Sequence, residues 1–392
     1  MATVDVLIAG GGVMGSAIAY FLAADPDFTG YVQVVELDPS YQFASSPRSL
    51  GGVRQQFSNL ENIQIGLFGH HFVTHVDHYL TVDGEAPALS FREGGYLFLA
   101  SGEGLATLRE NHAVQTAAGA AIDLLSPDDL AVRFPWIDVA GLAGASLSAG
   151  GEGWLDPFAL LQGFRKKARA LGVEFIADKV TGVHRAAGRV TAVDLASGTR
   201  VAPGVLVNAA GAWAGEVAAQ AGVALPVEPR RRMVYVFECR TPLDPPPPLT
   251  IDTSGVYLRP EGGGYLTGFT PPAEADPPYA GFEVEHHWFE EVVWPALAAR
   301  VPAFEAIKVT SAWAGYYDYN TVDQNGIVGA HPEVANLIFA NGFSGHGLQQ
   351  SPAVGRAVSE LIVHGGFRAI DLTRFGFERF AAGQPLIERN VV

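Results

Sequence analysis

The sequence has 392 residues, 48% hydrophobic and 17% charged, enough for two or three domains with real cores and free of a disorder signature. A formal net charge of −16 argues against a nucleic-acid partner, because a polyanion is repelled where no basic patch offsets it. One cysteine, Cys239, excludes an internal disulfide framework and a cysteine-based metal cluster, and is compatible with a reducing cytoplasm.

In chain order, residues 4–9 are a short apolar run of the kind buried on both faces of a parallel sheet. Residues 13–24 then read as a helix and 32–37 as a second strand, making a βαβ unit. The apolar stretch 6–24 holds Gly10, Gly11, Gly12 and Gly15 and lacks a basic flank, so it is neither a signal peptide nor a membrane span, and no other run is long enough to cross a bilayer. A strand is expected at 95–99 and helices at 104–119 and 127–134. Residues 157–171 form a helix capped by Asp156, with Pro157 in its first turn and Gly172 past its end. Strand character returns at 173–176 and 205–210. From 227 to 313 the chain reads as a mostly antiparallel sheet with proline-rich loops at 244–248 and 271–278 and one helix at 285–299. A strand at 337–340 and a helix at 351–364 follow. The basic runs Arg165-Lys166-Lys167 and Arg230-Arg231-Arg232 read as solvated faces or helix flanks.

Gly10-Gly11-Gly12-Val13-Met14-Gly15 fits G-x-G-x-x-G between strand and helix. Gly10 permits the tight turn, Gly12 lets the backbone approach a pyrophosphate, and Gly15 allows close packing of helix on strand. The helix N-terminus presents free N–H groups to phosphate, and Glu36, ending the second strand, is placed to accept from a ribose. By itself this motif does not separate FAD from a nicotinamide cofactor. Two later segments point to FAD: 205–214, running Val-Leu-Val-Asn-Ala-Ala-Gly-Ala-Trp-Ala, which resembles a strand and turn common among FAD-binding proteins and is otherwise a small-residue packing turn, and the turn Gly342-Phe343-Ser344-Gly345-His346-Gly347 between a strand and a helix. Such a turn can aim N–H groups at the pyrimidine end of a flavin, where reduction builds negative charge.

With Gly51-Gly52-Val53-Arg54, these motifs resemble the D-amino-acid oxidase superfamily of FAD-dependent oxidoreductases, on its sarcosine oxidase branch, over nearly the whole chain. A narrower resemblance, carried by residues 51–58, 311–321 and 342–350, is to a group of mitochondrial flavoproteins linked to assembly of respiratory complex I. With a first strand at residue four and no transit peptide ahead of it, the expectation is a cytoplasmic, bacterial relative. The resemblance implies an α/β, two-domain fold: a Rossmann-like FAD domain from 1–90, 149–226 and 314–392, and a mostly antiparallel substrate domain from 91–148 and 227–313. It implies non-covalent FAD held by Gly10, Gly12, Val13, Met14, Gly15, Glu36, Leu37, Arg48, Ser49, Gly51, Gly52, Val53, Val180, Ala210, Gly211, Trp213, Gly315, Gly342, Ser344, Gly345, His346, Gly347 and Leu348. The family's covalent histidine position is Leu50 here.

The implied reaction is oxidation of the C–N bond of an amino acid or N-substituted amino acid by hydride transfer to flavin N5, with oxygen or a redox carrier taking the electrons. Arg54, Arg259, Tyr257, His346 and Gln349 are the catalytic candidates. Arg54 either serves a carboxylate or the flavin, or makes a structural ion pair, and Arg259 either binds a carboxylate or lies on a strand surface. Tyr235, Tyr257 and Tyr316 are either an aromatic wall or core. The family's carboxylate-binding positions hold Phe57 and Gln349, which argues against a sarcosine-sized substrate. The family's lysine over the flavin has no counterpart in 264–268, as the lysines are Lys166, Lys167, Lys179 and Lys308, so a dehydrogenase is expected. Nothing at ligand spacing completes His70-His71 or His286-His287, and no metal is expected. An assembly factor with little catalysis, and a 2-hydroxy-acid oxidising enzyme, are the alternatives.

Overall fold

The computed structural model describes residues 2–389. Met1 and residues 390–392, which the sequence reading placed in the FAD-binding segments, lie outside them. Two eight-stranded sheets form the frame. In the first, the strands run in the order Ile327–His331, Val334–Asn341, Arg200–Asn208, Ala2–Ala9, Val32–Glu36, Glu174–Ala177. From Val334–Asn341 to Glu174–Ala177 every pairing is parallel, as a sheet covered by helices requires. The antiparallel hairpin Val180–Ala186 and Arg189–Leu195 hangs on Arg200–Asn208.

The helix Val13–Ala24 is apolar all round because it is buried all round. It lies against the helices Pro157–Ala170 and Gly347–His364. At the second crossing Gly355 meets Ala17, where an added Cβ would stand 2.8 Å from the alanine Cβ.

The second sheet runs Ile307–Asn320, Val227–Cys239, Gly264–Gly268, Tyr257–Glu261, Leu249–Ile251, Tyr96–Ala100, Gly144–Ser148, Ile122–Leu125. Only the pair Leu249–Ile251 with Tyr96–Ala100 is parallel, so the mostly antiparallel character read from sequence holds. Ile307–Asn320 pairs with Val227–Cys239 along its length, and residues 313 and 314 are neighbours inside that one strand.

Three element bounds need correction. Instead of one helix over 285–299 there is a π-helical stretch Phe289–Val293 followed by an α-helix Trp294–Arg300; Pro295 has no N–H for the Glu291 carbonyl, and the chain widens before it. The last long helix starts at Gly347 rather than 351. Pro352 sits inside it, and the Ser351 hydroxyl donates to the Leu348 carbonyl (2.8 Å) that a proline cannot reach. The strand expected at 205–210 spans Arg200–Asn208, its first two residues pairing with the hairpin and Val201 onward with Ala2–Ala9. Among the described residues no helix is long and apolar enough to cross a membrane.

Candidate functional site

The two sheets enclose a cavity of about 650 Å3, and the glycine fingerprint forms one end. Gly10 has φ +102°, and its N–H donates to the Val35 carbonyl (2.9 Å). A Cβ on Gly15 would overlap the Gly10 carbonyl oxygen, whereas at Gly12 it would meet only Ser46 Oγ at 3.5 Å. Gly15 therefore serves packing and Gly12 leaves room for a ligand. The helix that begins at Val13 has neither a side-chain cap at Gly12 nor an acid in its first turn, so its positive end is left for an anion. Ser46 Oγ accepts the Val13 N–H at 3.1 Å. Glu36 Oε2 accepts from Gly11 N–H (2.7 Å) and Oε1 from Asp38 N–H (2.8 Å), which fixes the carboxylate with a lone pair of each oxygen to spare. Burial pushes its pKa up, against those two amides.

The strand Arg200–Asn208 delivers the next wall. Asn208 donates through Nδ2 to the Ala214 carbonyl (2.9 Å) and accepts the Ala210 N–H (3.2 Å), which shapes the turn through Gly211. At the C-terminal turn, Gly342, Ser344 and Gly345 have φ +76°, +50° and +98°. Its first amides face inward: Gly342 and Phe343 N–H donate to Asp318 Oδ2 at 2.8 and 3.1 Å. Burial lifts Asp318 to about 6, against those donors. The donors this turn can offer a ligand are therefore the Gly345 N–H and those of the helix start at Gly347 and Leu348, all in the cavity lining.

Arg54 is 2% exposed and lies on the cavity wall. Its Nη1 donates to the Gln56 carbonyl (3.1 Å) and its Nη2 lies 2.7 Å from His346 Nε2. A guanidinium only donates, so the imidazole accepts and is neutral. Burial, reinforced by Arg54, holds the His346 pKa well below 6.5. The guanidinium stacks 4.3 Å from the Phe57 ring centroid, and Phe57 meets His346 edge-on. Gln349 Oε1 accepts the Arg54 N–H at 2.6 Å. Behind this loop Glu152, fully buried, accepts from the amides of Gln55 (2.6 Å) and Gln56 (2.9 Å) and from Gln56 Nε2 (2.8 Å). Burial pushes Glu152 up to about 7, opposed by those bonds and by Arg54.

The remaining sequence candidates divide by position. Gly10, Gly12, Val13, Met14, Glu36, Leu37, Arg48, Ser49, Gly52, Val180, Ala210, Gly211, Trp213, Gly315, Gly345, His346, Gly347, Leu348, Gln349, Tyr257 and Tyr316 line the cavity. Gly15, Gly51, Val53, Gly342 and Ser344 stand outside the lining and shape the backbone. Arg259 does not reach the cavity: its guanidinium caps the Leu50 carbonyl (2.9 Å), pairs with Glu261 and lies over Trp154. Tyr235 is core, its hydroxyl donating to the Glu285 carbonyl at 2.6 Å.

The sequence reading missed Arg232, Tyr96, Tyr317 and Asp318, all in the lining. The run Arg230–Arg232 is not a solvated face. It lies in the strand Val227–Cys239, where alternate side chains face opposite ways, and Arg232 is 5% exposed and paired with Asp276. That period within a tyrosine- and valine-rich strand was the available signal. Phe282, also in the lining, lies 5.3 Å ring to ring from Phe43 and 4.4 Å from the Arg48 guanidinium carbon.

A glycine fingerprint, an acidic strand end and a second glycine turn on one cavity roofed by an antiparallel sheet define a two-domain flavoprotein oxidoreductase. The family model for FAD dependent oxidoreductases (DAO) matches residues 5–361, and the chain belongs to that family, with FAD as its cofactor. It is 46% identical to FAD-dependent oxidoreductase domain-containing protein 1 of Xenopus laevis, over 99% of this chain and 85% of that protein. It is 26% identical to glycine oxidase of Bacillus licheniformis, over 96% of this chain and 97% of that one. Its structure is similar to that of L-proline dehydrogenase from P. horikoshii, at a TM-score of 0.86 and 26% identity, covering 98% of this chain and all of the other.

Proposed function

We propose that this protein oxidises the C–N bond of an amino acid or N-substituted amino acid, as a dehydrogenase that passes electrons to a redox carrier in preference to oxygen. When bound, FAD supplies the two-electron acceptor for a substrate C–H bond. The observation that carries the reading is Arg54, a buried guanidinium on the cavity wall beside the neutral His346 of the glycine turn. A planar fork of donors suits a substrate carboxylate, and the neutral imidazole adds no second cation to repel an amine. Tyr96, Tyr257 and Tyr317, with Leu249 and Ile251, line the same space and keep it dry. Removing hydride from a neutral amine asks the protein mainly for orientation and exclusion of water. The relatives named for glycine oxidation and L-proline dehydrogenation support an amino-acid substrate.

The choice of acceptor rests on lysine placement. The strand Gly264–Gly268 has none, and Lys179, which lines the cavity, follows Asp178, whose N–H bonds the Glu36 carbonyl at the opposite end. FAD is held without a covalent bond in this reading: Leu50 lines the cavity, while the Cys239 thiol donates to the Ala303 carbonyl away from it. In this reading the FAD-binding body is drawn, within the described residues, from 2–90, 149–226 and 314–389, with 91–148 and 227–313 as its roof, although the strand Ile307–Asn320 of the second sheet runs across the 313/314 boundary.

The test is anaerobic addition of N-methyl, D- and L-amino acids and 2-hydroxy acids to the yellow holoprotein. Bleaching by an amino acid supports the proposal, and slow reoxidation in air supports the dehydrogenase assignment. Bleaching by a hydroxy acid alone moves the reaction to C–O bonds. Bound FAD that nothing bleaches favours the assembly role with little catalysis.

A further inference from the structure

We propose that Arg232 determines specificity: the side edge of its guanidinium receives an oxygen acceptor, carboxylate or carboxamide, carried by the substrate away from the carbon that is oxidised. This rests on the amino-acid reading above, in which Arg54 takes the first carboxylate.

Arg232 lines the same cavity as Arg54 and is 5% exposed. Asp276 occupies only the end of its fork, accepting from Nη1 at 2.7 Å and Nη2 at 2.9 Å, and the Arg231 carbonyl takes a second bond from Nη1 at 2.8 Å. The Nε atom is buried without a hydrogen-bond partner. With the end-on positions taken, the open edge is the one formed by Nε–H and the second hydrogen of Nη2, which matches two acceptor lone pairs side-on. A buried donor without a partner is costly, and a ligand oxygen in the cavity relieves that cost.

Tyr317 connects the two arginines. Its ring centroid lies 5.0 Å from the Arg232 guanidinium carbon, and burial raises its hydroxyl pKa, opposed by both Arg232 and Arg54. Val234, Leu249 and Ile251 supply apolar lining for a short aliphatic spacer. Because Asp276 already balances the charge of Arg232, the edge selects for an oxygen acceptor more than for net charge, so carboxylate and carboxamide ends are both accommodated.

The experiment titrates holoprotein with acids that cannot be oxidised at an amine, read by the shift of the flavin spectrum on binding. A series of three to six carbons is compared in three forms: monoacid, diacid and monoamide of the diacid. At one spacer length the diacid or monoamide is expected to bind at least about tenfold more tightly than the monoacid, about 1.4 kcal/mol. In Arg232→Lys, which keeps a cation for Asp276 but lacks the side edge, that preference falls to about twofold or less, with FAD content and monoacid affinity retained. Equal affinity for all three forms in the wild type overturns the proposal, and so does a preference that survives in Arg232→Lys. Should the lysine variant lose FAD, the wild-type series alone decides. If the preference is present and no amino acid bleaches the flavin, the reaction class fails and the Arg232 edge stands.

Discussion

Glu152 makes stability depend on pH in a direction opposite to that of an ordinary ion-paired carboxylate. Its side chain is fully buried and its pKa is pushed up from 4.5 to about 7 by desolvation. The folded state therefore holds a proton that the unfolded chain releases first. The stability this group contributes is fully present below about pH 4.5 and is lost as pH rises through about 7. At about 1.4 kcal/mol for each pH unit, the loss across that window is about 3 kcal/mol. Glu152→Gln removes the titration while keeping the shape of the group. The assay is urea unfolding of FAD-saturated wild type and variant at half-unit steps from pH 4.5 to 8, taking the difference between the two curves. Asp318, lifted to about 6 by burial, titrates in both proteins and cancels. The wild type should lose about 3 kcal/mol relative to the variant as pH rises; a flat difference, or one of opposite sign, would refute the reasoning. Since Glu152 anchors the Gln55 and Gln56 amides and the Gln56 carbonyl holds Arg54, substrate affinity should shift over the same window.

Gly15→Ala places a Cβ on the Gly10 carbonyl oxygen, and the purified protein should lose its visible flavin absorbance. Arg54→Met should keep FAD yet weaken the substrate by roughly 10- to 100-fold, in line with the ~1.5–3 kcal/mol of a charged hydrogen bond, measured by anaerobic flavin titration. Asp323 and Arg379, both buried, pair at 2.7 and 3.0 Å; Asp323→Asn should cost about 3–5 kcal/mol in urea unfolding, the range for removing one partner of a buried pair.

Much of the fold was legible locally. Periodicity and capping placed the helix Pro157–Ala170, where Asp156 Oδ1 accepts from Phe158 and Ala159 N–H as its position implied. The same reasoning placed Val13–Ala24 without error. It failed at the helix over 285–299, where Pro295 interrupts the regular ladder, and at the start of Gly347–His364, where a serine hydroxyl offsets a proline that a local reading takes for a first turn.

The site divides the same way. The glycine turns and Glu36 are short-range patterns that depend on neighbours within a few residues and on strand–turn–helix order, so the sequence alone was enough to read the FAD-binding family and fold. Which charged side chains face the cavity depends on pairings between residues far apart in the chain. Arg232 and Arg259 are both arginines in the same antiparallel sheet. Asp276, 44 residues away, turns one into the cavity wall, and the carbonyl of Leu50, 209 residues away, holds the other outside it. No propensity or spacing distinguishes the two, because burial and hydrogen-bond partners at that separation exist only once the sheets have packed.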